Sequence, residues 1–155
     1  MKAEFINPFY QATINVFKLM LDIDVTRDQS KALQEMLGKK EVGVAIDVTG
    51  DLSGCILYRF SDTTILEMVK IMSGMEFDAI DSFVTSALGE VSNIISGNAV
   101  SSLFDQNYKC DIKPPRIIIE DEKPICLEGS QVLKIPLDTP IGKLQIHMTL
   151  KENVH

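Results

Sequence analysis

The stretch EVGVAIDVTGDLSGCILYRFS, residues 41–61, decides how the rest of the chain is read. Its period is two. Val42, Val44, Ile46 and Val48 fall on one side of an extended chain. TGDLSG (49–54) turns the chain, and CILYRF (55–60) resumes with strand-forming residues. Together they predict a β-hairpin.

N-terminal to the hairpin the period is helical. PFYQATINVFKLML (8–21) predicts a first helix, with Asn7 as its cap and Pro8 at the first helical position. Phe9, Ala12, Val16, Leu19 and Met20 make one apolar face, with Ile14, Phe17 and Leu21 off it. Residues 25–39 receive no assignment, although SKALQEML (30–37) has helical propensity.

C-terminal to the hairpin, Ser61 and Asp62 open a short helix that stops at Gly74. Asp78 is the expected cap of a long helix over 79–105, with Asp81 in its first turn and an end near Gln106-Asn107. YKCDIK and RIIIE predict strands on either side of Pro114-Pro115. SQVLKIPL and KLQIHMTLK predict two more, joined by DTPIG. In the last, Leu144, Ile146, Met148 and Leu150 alternate with Gln145, His147 and Thr149, which places His147 on the polar face as a solvated or sheet-surface histidine. The expected fold class is α+β: a single domain over 1–155, with a mostly antiparallel sheet covered by one long helix and two shorter ones.

Composition narrows the function. A chain of 155 residues, 45% of them hydrophobic, can bury a real core. The net charge of −7 argues against a nucleic-acid partner, which needs clustered Lys and Arg. No apolar run reaches membrane-spanning length, and the N-terminus does not read as a signal peptide. The expected location is the cytoplasm, with no membrane partner. Cys55, Cys110 and Cys126 form no CxxC and read as small hydrophobes in a reducing compartment. With only His147 and His155 available, neither a histidine-rich metal site nor a Ser-His-Asp triad is expected.

Cys110 and Arg116 have the C-x5-R spacing of cysteine-dependent phosphatases. The intervening DIKPP argues against that chemistry. Two prolines supply no N–H to an anion, and Asp111 adds a repelling charge.

The long helix is more informative. Within SALGEVSNIISGNAV (86–100), Ser86, Glu90, Asn93 and Gly97 follow spacings of four, three and four, so they share one narrow stripe. Small Ala79 and Ser82 extend it. Val84, Leu88, Val91, Ile95 and Ala99 occupy the opposite side, which should face the sheet. Gly89 and Gly97 flank Asn93 by four residues each way. Two readings follow. The stripe either packs closely on another part of its own chain, with Ser and Gly as spacers, or forms an exposed interaction face.

At these residues the sequence resembles the CheC/CheX/FliY family of bacterial chemotaxis phosphatases, its CheX branch in particular. The family pattern is an acidic residue or Ser, then Glu, then Asn, with a Pro some twenty residues later. Ser86, Glu90, Asn93 and Pro114-Pro115 match it, as do GDLSGCILYRFS, MSGME and ALGEVSNIISGNA. The likeness covers residues 5–150. The first helix holds Gln11 and Asn15 but no second E-x-x-N, unlike the two-motif CheC proteins. The resemblance implies a phosphatase acting on the phospho-aspartate of a CheY-like response regulator. In it Asn93 would hold the attacking water and Glu90 would pair with the regulator's active-site lysine. Ser86, Gly89 and Gly97 would face the partner. It also implies a homodimer paired through the sheets, no cofactor on this chain, and Mg²⁺ in the regulator. The alternatives are a non-catalytic receiver-binding module and a dimerisation domain.

Overall fold

Among the described residues, three helices cover one face of a seven-stranded antiparallel sheet. The structure, a computed structural model, describes residues 1–28, 41–119 and 131–153. In chain order the elements are α1 (Ala3–Leu21), β1 (Thr26–Arg27), β2 (Glu41–Gly50), β3 (Leu52–Ser61), α2 (Asp62–Ser73) and α3 (Ser82–Asp105). Then come β4 (Cys110–Ile112), β5 (Arg116–Ile119), β6 (Leu133–Thr139) and β7 (Gly142–Glu152). The expectation for SKALQEML lies outside the described residues, as do Cys126 and His155. No helix among the described residues is long and apolar enough to cross a membrane.

The hairpin forms as read. β2 and β3 pair from Glu41↔Ser61 to Val48↔Gly54. Val42, Val44, Ile46 and Val48 join Ile56, Tyr58 and Phe60 in the main core. β7 takes the other edge of β3, and the sheet order is β1-β6-β7-β3-β2-β4. At Gly54, φ is +153°, and a Cβ would stand 1.8 Å from the Thr149 carbonyl oxygen, so β7 can approach only because the side chain is missing.

β4 and β5 both pair with β2, at Gly50–Val48 and at Ala45–Val42. Pro114-Pro115 separates them. Without N–H groups the two prolines cannot continue the ladder, so the pairing breaks and resumes.

α2 follows its sequence signals. Ser61 Oγ accepts from the Thr64 N–H, and Gly74 ends the helix at φ +74°. Two other boundaries differ from expectation. α1 starts at Ala3, so Pro8 lies inside it. The cost is confined to the first turns, and Phe5 gains a buried site with its ring edge-on to Tyr108 at 5.2 Å. The buried face of α1 also differs: Phe5, Phe9, Ala12, Val16, Phe17 and Leu21 are inside, while Leu19 is 84% exposed and Met20 is exposed. The cap of α3 is Asp81, whose Oδ1 accepts from the Val84 N–H at 2.9 Å, so Ala79 lies outside the helix.

The opposite face of the sheet holds a smaller apolar cluster of Ala45, Cys55 and Leu57 with Ile118 against it. Cys110 is free, whereas Cys55, expected as a small reduced hydrophobe, is disulfide-bonded. Gln145 and His147 are buried here, contrary to the expected solvated surface. The register explains why. Leu57 and Lys134 flank His147, and Arg59 and Pro136 flank Gln145, so both side chains have neighbours on either strand. His147 Nε2 lies 2.9 Å from Gln145 Oε1, which also accepts from Arg59 Nη1 at 3.4 Å, and Arg59 pairs with Glu41. Burial, with the charges of Arg59 and Lys134, pushes His147 down to about 4.

The unfolded chain therefore binds a proton between about pH 6.5 and pH 4 that the folded chain does not. Stability falls as pH drops through this window, by about 3 kcal/mol from this residue at most. Urea denaturation at pH 7 and pH 4.5 should show a smaller acid loss in His147→Gln than in the parent. Equal losses would contradict a proton-excluding His147.

Candidate functional site

α3 is anchored from beneath. Val84, Leu88, Val91, Ile95, Ala99 and Leu103 are buried against the sheet, as the periodicity predicts. Ser92 and Ser96 are buried with them, which the sequence reading missed. Ser92 Oγ returns a hydrogen bond to the Leu88 carbonyl at 2.9 Å. Ser96 Oγ meets the Tyr58 hydroxyl at 2.8 Å. Each serine lies four residues after a buried position, a spacing that marks them for the core face. Burial holds the Tyr58 hydroxyl far above its usual pKa, so it is a structural group rather than an acid or base.

The other side of α3 carries the stripe. Ser86 and Glu90 are exposed, and Asn93 and Gly97 are half-buried. Glu90 and Asn93 are one turn apart, with Cβ atoms about 5–6 Å from each other. Neither side chain makes a hydrogen bond or ion pair to the described residues. A carboxylate and a carboxamide thus stand side by side with their bonding capacity unspent. Together they offer acceptors for a cation and a donor–acceptor pair for a water.

The two glycines part company. At Gly97 an added Cβ would meet nothing within 4 Å among the described residues. Gly89 is buried, and an added Cβ would touch Pro115 Cγ at 3.6 Å and Ile117 Cδ1 at 3.9 Å. Gly89 therefore gives room to its own chain. Both readings of the stripe apply, at different residues: close packing at Gly89, an open face from Glu90 to Gly97. The Pro-Pro bend is thereby held beside Glu90, far from it in sequence. At the N-terminal end the reading also missed Phe83, 53% exposed, whose ring stacks on Phe77 at 5.1 Å.

The C-x5-R pair does not converge on an anion site. Burial pushes the Cys110 thiol up, away from the thiolate, and Arg116 is engaged by Asp47 at 3.0 Å. Among the described residues no three His, Cys, Asp or Glu side chains cluster to hold a metal ion.

Comparison with known proteins adds to this geometry. The family model described as chemotaxis phosphatase CheX matches residues 42–138. A Thermotoga maritima protein named CheY-P phosphatase CheX is 26% identical over 153 residues, spanning 97% of this chain and 98% of that protein. A CheC-like superfamily protein from Shewanella sp. PV-4 superposes with a TM-score of 0.83 at 27% identity, over 97% of this chain and 99% of that one. A Borrelia burgdorferi structure, described as a CheX-CheY-BeF3-Mg complex, matches with a TM-score of 0.76 at 27% identity, over 96% and 98% of the chains.

The open space at Gly97 has a measurable consequence. Gly97→Ala should stabilise the fold by about 0.5–1 kcal/mol, because the helix gains propensity and the methyl group meets no obstacle. A higher urea midpoint is the expected reading, and a lower one would show that this face is not open.

Proposed function

This chain belongs to the CheX family of chemotaxis phosphatases, and from that premise we propose that it hydrolyses the phospho-aspartate of a CheY-like response regulator. The observation that carries the reading is the pair Glu90 and Asn93 on the outward face of α3, unengaged by any of the described residues. The activity named for the Thermotoga relative and the partner named in the Borrelia complex support it.

The chemistry asks little of this chain. An acyl phosphate is already activated, and its hydrolysis depends on placing a water in line with phosphorus and stabilising charge on the phosphoryl oxygens. The Asn93 carboxamide accepts from the water through Oδ1 and donates through Nδ2, and it stays neutral throughout. The water's oxygen attacks phosphorus, the bond to the aspartyl oxygen breaks, and inorganic phosphate leaves. Mg²⁺ in the regulator would supply charge stabilisation on the partner's side. Glu90 meets the regulator's active-site lysine and sets the register in which Asn93 reaches the phosphoryl group. Ser86 and Gly97 leave the approach low, while Gly89 seats Pro115 under the same surface. The same resemblance supports a homodimer paired through the sheets; among the described residues the sheet ends in β1 on one side and in β4 with β5 on the other.

A turnover assay with substoichiometric protein and a phosphorylated receiver tests this. Multiple turnovers are expected. Asn93→Ala should lower kcat by about 100-fold with affinity largely kept. Glu90→Ala should weaken both affinity and rate, each by about tenfold. Binding without turnover in the parent would instead favour the receiver-binding module, and unchanged turnover in Asn93→Ala would remove the water-holding role.

A further inference from the structure

The outward stripe of α3 is longer than its two functional residues. Phe83, Glu90, Gly97 and Phe104 recur every seven residues, with Ser86 and Asn93 between them, so all six lie on one side of the helix. The two ends are large and apolar: Phe83 is 53% exposed and Phe104 is 59% exposed. They are the two exposed large apolar side chains of α3, and both lie on the side that carries Glu90 and Asn93. Phe83 is held ready for contact, because its ring stacks on Phe77, itself packed on the core.

Position identifies the partner. Asn93 is ten residues from Phe83 and eleven from Phe104, or about 15 Å and 17 Å along the helix axis. An ordinary protein interface covers about 800 Å² on each side, a disc of roughly 16 Å radius. A domain docked with its reacting group at Asn93 would thus reach both rings at its rim. Charge favours the same occupant over a second copy of this chain. α3 contains no Lys or Arg, so self-pairing along the stripe would bury Glu90 with no cation opposite it. We infer that Phe83 and Phe104 are the apolar anchors of the phosphorylated receiver domain. They grip it at both ends of the stripe and so determine affinity and partner choice rather than the chemical step. This inference rests on the proposed phosphatase site.

The test compares Phe83→Ala, Phe104→Ala and the double variant with the parent, using a beryllofluoride-activated receiver for Kd and the phosphorylated receiver for KM and kcat. Each single change should raise Kd and KM about threefold and the double variant about tenfold, since rim contacts contribute less than central ones, and kcat should stay within about twofold. Leu19→Ala, which trims an 84% exposed side chain on α1, should leave all three constants unchanged. Urea midpoints confirm that the variants are folded. If the folded double variant keeps the parent's Kd and KM while Asn93→Ala lowers kcat as expected, the anchors are refuted and the phosphatase site stands. If the Phe variants weaken binding but Asn93→Ala turns over normally, the anchors stand and the catalytic reading falls. If the parent self-associates in sedimentation and the double variant does not, the stripe is a contact between copies and the inference is overturned.

Discussion

A hydroxyl pair in the middle of the core sets the rotation of α3. The Tyr58 hydroxyl rises from β3 among apolar side chains and meets Ser96 at 2.8 Å. Turning α3 about its axis would leave both groups buried without partners, at a cost of about 1–3 kcal/mol each. Ser92 satisfies itself on the Leu88 carbonyl, so it adds no competing demand. With Val84, Leu88, Val91 and Ile95 against the sheet and Ser96 held by Tyr58, Glu90 and Asn93 fall toward the outward side. The face carrying the proposed site is therefore set by how the helix is seated.

The same seating explains the weak helix formers in this segment. Ser92 and Ser96 are small enough to let α3 lie close to the sheet, and Gly89 lets the Pro-Pro bend lie against its flank. At Gly97 an added Cβ would meet nothing within 4 Å among the described residues. A helix-interior glycine costs about 1 kcal/mol against alanine. At Gly97 that cost is matched by an open approach beside Asn93.

Much of this was legible in the sequence. The period of two in β2 announced the sheet, Ser61 and Gly74 marked the ends of α2, and the four-three-four spacing separated the two sides of α3. What escaped depends on partners distant in the chain. Phe5 recruits the turn before Pro8 into α1 because a core site and Tyr108 await it, and local capping chemistry carries no record of either. Gln145 and His147 alternate as solvated residues would, yet they are buried by side chains from β3 and β6. Pro115 over Gly89 and the exposure of Phe83 are likewise products of tertiary packing. The roles of Glu90 and Asn93 came from family resemblance, since spacing alone places them on one face without saying what they do.

A crystal structure of this chain with a beryllofluoride-activated receiver would test the central claim most directly. The expected result places the Asn93 carboxamide about 3 Å from a water in line with the beryllium. The Glu90 carboxylate should lie on a lysine of the receiver. A complex in which the receiver docks elsewhere, with the outward face of α3 left in solvent, would contradict it.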